Sequence, residues 1–387
     1  MLERLSYYGV RAIFILFLID DNGLNLTREV SLNHYSKYSF LLLLLPIPLG
    51  YLIDKLLKEK RAIIIVSLLC LGGYLLLLTS SLYGTLVSLI LLAIGLSIIK
   101  PTTTILVGRQ FHKANRRRTL AYMVYFLGIN LGSFIGVVTI GYLGEKHGWN
   151  YGFLLAAVAT ALNLLLFLVF GQKIVHKETN LVQENKPLNN RKALMLLLIL
   201  AIIQVAFWYS YNSFSNDLTT NLVFGDDEKI FGLQIIKSFI QAFHFIWYCV
   251  LGILLFTYWY TKGIGRTFDL IKLAFGLLIF AVLASIGLNY SDSALQLELS
   301  IPIFGLFVLA ETIFSPLCTS YLTRISNVKY SHTLYGLFFF VTYLLGNGLS
   351  LIPENISKVT LIAFPVLTIL SLMFFKNKIY RLSKEID

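Results

Sequence analysis

Apolar stretches of about 20 residues recur along the whole chain, and each is long enough to cross the hydrocarbon core of a bilayer as a helix. That recurrence constrains the fold more than any other feature. Barrel strands would alternate over roughly ten residues, whereas these runs are continuous, so the chain reads as an all-α membrane protein. Composition agrees: 57% of residues are hydrophobic and 13% charged, the latter about half the usual share of roughly 25% in soluble domains. Mean hydropathy is +0.75.

Twelve spans are expected, at 3–20, 33–55, 61–80, 84–109, 118–143, 150–171, 192–214, 233–260, 267–288, 296–322, 331–352 and 357–376. The connecting segments alternate in charge. One side collects Lys55, Lys58, Lys60, Arg61, Arg109, Lys113, Arg116, Arg117, Arg118, the cations of 172–192, Lys262, Arg266, Arg324, Lys329 and the basic C-terminal tail. The other holds only Arg28, Lys146, Lys229 and Lys358. The positive-inside bias places both termini in the cytoplasm and accounts for the net charge of +12 without nucleic acid. A polar linker, 172–191, separates six spans in 1–171 from six in 192–387, which suggests two six-helix bundles with a site near mid-membrane.

Cys70, Cys249 and Cys318 are isolated within apolar runs, so neither a disulfide framework nor a metal site is expected. No nucleophile–base pair, metal-ligand spacing or phosphate loop is found, which argues against an enzyme.

Charge inside a span is expensive and marks function. Arg4, Arg11, Lys100 and Glu311 fall there. At about 1.5 Å per residue, Lys100 lies roughly 14 Å, Arg11 roughly 15 Å and Glu311 roughly 20 Å from the cytoplasmic edge. Cations and an anion at similar depth are placed to share a water-filled cavity. Lys100 shares a helical stripe with Ser97 and Thr104, and Arg4, Tyr8 and Arg11 share another; Glu311 and Ser315 are four apart. Pro101 and Pro316 free carbonyls one turn upstream. Arg4, near the edge, could instead snorkel. His34, His112, His147, His176 and His332 sit at span ends and read as unremarkable; His244 alone lies at membrane depth.

These residues carry a resemblance. "ERLSYYGVRAI" (3–13), "PIPLGYLIDKLL" (46–57), "IIKPTTTILVGRQF" (98–111), "YFLGINLGSFIGVVTIGYLGEKHGWNYGFLLAA" (125–157) and "AETIFSPL" (310–317) resemble, in order, segments of the proton-dependent oligopeptide transporters of the major facilitator superfamily. The resemblance implies proton-coupled import of di- and tripeptides by rocking two bundles in the cell membrane. It implies a monomer that needs no cofactor beyond the proton gradient and has peptide, protons and lipid as its partners. Arg11 and Lys100 would serve the peptide carboxylate, Tyr7, Tyr8, Asn130, Trp208, Asn212, His244 and Ser315 would line the site, and Glu311 would meet the amino group. Glu3, Arg4, Arg11, Lys100 and Glu311 would form the switching ion pairs.

Four departures stand out. The family's first span-one glutamate would fall before Met1; Asn212 occupies the place of a proton-accepting glutamate; His244 replaces an asparagine; and Phe338 replaces a tryptophan. Proton coupling is then left to Glu311, Glu3 or His244. An uncoupled facilitator or exporter of amino-acid-like solutes, and a transporter-like sensor or truncated copy, are the competing functions.

Overall fold

The computed structural model describes residues 1–57, 59–111, 117–176, 190–224, 229–230, 233–234, 240–288, 293–325, 330–349 and 354–377. Its helices are α1 (Leu2–Ile19), α2 (Arg28–Leu44), α3 (Pro46–Lys55), α4 (Glu59–Leu77), α5 (Leu82–Arg109), α6 (Arg117–His147), α7 (Trp149–His176), α8 (Asn190–Phe224), α9 (Ile240–Lys262), α10 (Thr267–Leu288), α11 (Ser293–Ile325), α12 (Ser331–Leu349) and α13 (Glu354–Phe374). Two short strands not anticipated from the sequence, Lys229–Ile230 and Leu233–Gln234, pair antiparallel. Among the described residues, nine helical stretches are long and apolar enough to cross a membrane, with α2 and α3 forming one of them. The chain is an integral, multi-pass membrane protein. Helix α1 falls short of that composition because it carries Glu3, Arg4 and Arg11.

The chain forms two compact units. Unit 1 comprises Met1–Gln110, Gly128–Asn185 and Ser326–Phe340; unit 2 comprises Phe111–Leu127, Lys186–Ile325 and Val341–Asp387. The helices α6 and α12 therefore each contribute to both. Most of the polar linker, the acidic turn at 225–228 and the cations of 112–116 lie outside the described residues.

Local chemistry sets the helix ends. The Thr27 hydroxyl caps α2 and the Ser81 hydroxyl caps α5, accepting from the amides of Val30 and Gly84. Pro46, which has no amide hydrogen, opens α3 directly after α2 ends. A single residue, Gly148, joins α6 to α7 at φ +116°, a conformation that a Cβ would strain.

Unit 1 is held by close backbone approach. Gly132 and Gly136, four apart on α6, face α1 so closely that a Cβ would lie 2.3 Å from the Met1 carbonyl oxygen and 2.1 Å from that of Leu5. In lipid, where apolar burial does not drive helix association, such contact is a principal source of attraction. The Ser6 hydroxyl adds a polar clasp, donating to the Ala156 carbonyl at 2.8 Å while Thr160 donates to it at 3.0 Å. Phe17 meets Phe153 edge-on at 4.9 Å. In unit 2, Phe207 of α8 stacks on Phe314 of α11 at 3.8 Å and 5°, with Phe275 of α10 edge-on to both.

Several cations counted as loop charges are in fact built into helices. Arg118 is buried and donates to the Thr323 hydroxyl at 2.8 Å, and Arg324 is buried as well. Their position at helix ends looks the same in sequence as a loop position; only the packing of α6 against α11 distinguishes them.

Gly136→Ala is expected to destabilise the protein by about 1–3 kcal/mol, because backbone must move to admit the methyl. Gly128→Ala, where a Cβ meets nothing within 4 Å, should be neutral or stabilising by up to about 1 kcal/mol. Thermal unfolding of both variants in one detergent checks the contrast.

Candidate functional site: a charged cluster in each unit

In unit 1, the three charges of α1 form one ion pair and one cation bonded to a phenol. Arg4 is buried and grips Glu3 with two bonds, Nε to Oε2 at 2.6 Å and Nη2 to Oε1 at 2.8 Å. Its guanidinium also lies 5.2 Å from the Tyr7 ring. Of the two readings of Arg4, the ion pair rather than the snorkelling side chain is the one observed: the carboxylate next to it satisfies the charge inside the protein. Arg11 is exposed, donates from Nε to the Tyr35 hydroxyl at 2.9 Å and lies 5.9 Å from the Tyr8 ring. A cavity of about 20 Å³ adjoins it, lined by Tyr7, Arg11, Tyr35, Tyr38 and Tyr74 together with Val10, Phe14, Leu89 and Leu92. A guanidinium framed by phenol hydroxyls and ring faces is chemically suited to hold a carboxylate.

Lys100 is half-buried on α5, its ammonium 6.0 Å from the Phe339 ring, and Asn130 is buried on α6; both belong to unit 1. The Lys100 carbonyl accepts from the hydroxyls of Thr103 and Thr104.

In unit 2, the Glu311 side chain is 12% exposed, and its Oε2 accepts from the Tyr211 hydroxyl at 2.7 Å. His244 Nε2 lies 2.8 Å from the same oxygen. Both bonds fall on Oε2, so Oε1 keeps lone pairs for a further donor. The His244 ring packs among Phe245, Tyr248 and Phe304. Ser315, one turn on from Glu311, is buried, while Trp208 and Asn212 are half-buried on α8. Arg11 and Lys100 thus lie in unit 1, and Tyr211, His244 and Glu311 in unit 2. Sequence reading missed Tyr211, next to Asn212, and Tyr35. Aromatic residues are too common in this chain for a single tyrosine to stand out.

His332 is a second correction. Far from being unremarkable, its side chain is 3% exposed and its Nδ1 lies 2.8 Å from Asp54 Oδ1. Asp54 also accepts from the His332 and Thr333 amides, at 3.2 and 2.9 Å, and from the Thr333 hydroxyl at 2.7 Å. It therefore caps the first turn of α12 from α3. Among the described residues, no group of three or more metal-binding side chains is found.

Long apolar helices carrying charges in their interior define a polytopic membrane protein with a polar interior. The Major Facilitator Superfamily model matches residues 1–350, and the chain belongs to that superfamily. Within it, the chain is similar to peptide transporters. It is 30% identical over 217 residues to "Peptide transporter YePEPT" of Yersinia enterocolitica, covering 53% of this chain and 42% of that one. It is 27% identical to "Dipeptide and tripeptide permease A" of Serratia proteamaculans, covering 54% and 41%. The chain thus spans less than half the length of these curated relatives. Among solved structures, it matches a peptide transporter POT in complex with sulfate, with TM-score 0.72, 19% identity and coverage of 98% and 93%. A POT family transporter in complex with 5-aminolevulinic acid matches with TM-score 0.72, 18% identity and coverage of 98% and 94%. At these identities the structures establish the fold.

Tyr211→Phe is expected to cost about 1.5–3 kcal/mol of stability by removing one donor from the buried Glu311 carboxylate. In Glu311→Gln, which carries no charge to satisfy, the same change should cost less. A double-mutant cycle of melting temperatures measures the difference.

Proposed function

We propose that the chain is a proton-coupled symporter of di- and tripeptides in the cell membrane, working by alternating access. In this reading twelve helices form two six-helix bundles with both termini in the cytoplasm, and the carrier acts as a monomer driven by the proton gradient alone. The observation that carries it is the pair of opposite charges: Arg11, framed by tyrosines in one unit, and Glu311, with an uncommitted oxygen, in the other. A short peptide is a zwitterion. Its carboxylate suits Arg11 and Lys100, and its ammonium suits Glu311. Asn130, Tyr7 and Tyr8 in unit 1, and Trp208 and Ser315 in unit 2, are the further residues expected to contact it.

Asn212 cannot change charge, so the proton must use Glu3, His244 or Glu311. His244 and Glu311 share a hydrogen bond. The similarity of the chain to peptide transporters supports the substrate class, and transport rather than catalysis.

Uptake of a labelled dipeptide into proteoliposomes, with and without an inward proton gradient, tests the reading. Accumulation above the external concentration only with the gradient is the expected result; equilibration without accumulation would identify an uncoupled facilitator. Lys100→Ala and Glu311→Gln should each abolish accumulation while leaving folded protein in the membrane. Normal uptake by both variants would reduce those charges to packing elements.

An N-acetylated dipeptide should compete roughly ten- to hundred-fold less well than the free one, the equivalent of losing one buried charge-assisted bond. Equal competition by both forms would sink the placement of the amino group at Glu311.

A further inference from the structure

The cavity beside Arg11 has a depth that an anchor for a carboxylate does not require. Arg11 and Tyr35, bonded to each other at 2.9 Å, are its more exposed members, whereas Phe14, Tyr74, Leu89 and Leu92 are buried. The space therefore reaches inward from the guanidinium, between α1, α2, α4 and α5, all within unit 1. Its volume is about 20 Å³. One water needs roughly 10–15 Å³, so there is room for a single group of that size. The Tyr74 hydroxyl oxygen is itself covered, so this residue offers the cavity its ring. An interior of ring faces and aliphatic carbons suits a methyl better than a water, which would find few polar partners.

The far wall is held in place. Tyr74 and Leu89 adjoin Gly73 and Ser88 in sequence, and the buried Ser88 hydroxyl donates to the Gly73 carbonyl at 2.8 Å. A Cβ on Gly73 would lie 2.8 Å from Leu92 Cγ, so α4 and α5 are clasped at the level of the cavity. Phe14 is backed by Phe17, which meets Phe153 edge-on. Walls packed in this way transmit strain and do not yield to it.

The side chain of an amino acid branches from the carbon next to its carboxyl group. A carboxylate held by Arg11 thus brings the side chain of its own residue to the cavity mouth. From this geometry we infer that the cavity is a subsite for the side chain of a peptide's last residue, and that it admits a methyl and nothing larger. Glycine leaves it empty, alanine fills it, and leucine does not enter. The inference rests on the proposed transport of peptides with their carboxylate at Arg11, and names the peptides that such a site prefers.

Competition against uptake of labelled dialanine into proteoliposomes tests the subsite. Competitors vary at the last residue alone (alanylglycine, dialanine, alanylleucine), then at the first alone (glycylalanine, leucylalanine). Dialanine is expected to compete about fourfold better than alanylglycine, the worth of one buried methyl. It should compete at least about tenfold better than alanylleucine, which has to displace a packed wall. The first-residue series should show no such optimum at alanine. Leu92→Ala enlarges the cavity and should bring alanylleucine to within about twofold of dialanine; Leu89→Ala does the same one turn away. The parent series decides even where a variant fails to fold. Equal competition across the last-residue series, or an optimum in the first-residue series instead, would overturn the subsite and leave peptide transport standing. An optimum at alanine that persists unchanged in a folded variant would overturn it as well. A parent that takes up no dialanine would overturn the peptide reading, and the subsite with it.

Discussion

Charge in an apolar interior has to be partnered, and much of this structure follows from how each charge is satisfied. A membrane helix gains little from burying leucines against lipid, because the lipid is as apolar as the leucine. What fixes one helix against another is therefore close backbone contact and polar pairing. The α1–α6 interface uses the first, through Gly132 and Gly136. The second holds Arg4 to Glu3, Arg118 to Thr323, Asp54 to the first turn of α12, and Glu311 to Tyr211 and His244. Each pairing spares the interior an orphaned charge or donor, and several join helices far apart in sequence.

The same rule divides the charged residues by how far each is already satisfied. Arg4 is buried and closed by two bonds from the neighbouring carboxylate, so it has little left to offer a ligand. Arg11, seven residues on, is exposed and engages a phenol rather than an acid, so its charge remains unneutralised by that contact. Glu311 lies between these cases: one oxygen is committed twice and the other carries neither bond. Residues that present charge in this way are the ones a zwitterion can use.

The helical class, the multi-pass character and the presence of charges within the helices were legible because they depend on run length and on rarity. A lysine at residue 100 or a glutamate at 311 is conspicuous against apolar neighbours. Tyr35 and Tyr211 were not, since a tyrosine in an aromatic-rich chain becomes informative only when its hydroxyl is seen to meet a charge. His332 and Arg118 were misread for a related reason. Both lie at helix ends, where sequence alone cannot separate a solvated charge from one covered by a distant helix. Asp54 and Thr333 meet across 279 positions, and no local pattern encodes that contact.

The stacked pair Phe207–Phe314, braced by Phe275, lies one helical turn from both Tyr211 and Glu311. Phe207 also stacks on Tyr211, whose hydroxyl donates to Glu311, and packed rings are poorly compressible, so the donor that holds this carboxylate has little room to shift. Under the proposed function, peptides of different length that place their ammonium at Glu311 would begin at the same point. Tolerance for length would then belong to their far ends, with the aromatic brace as the zero of a molecular ruler.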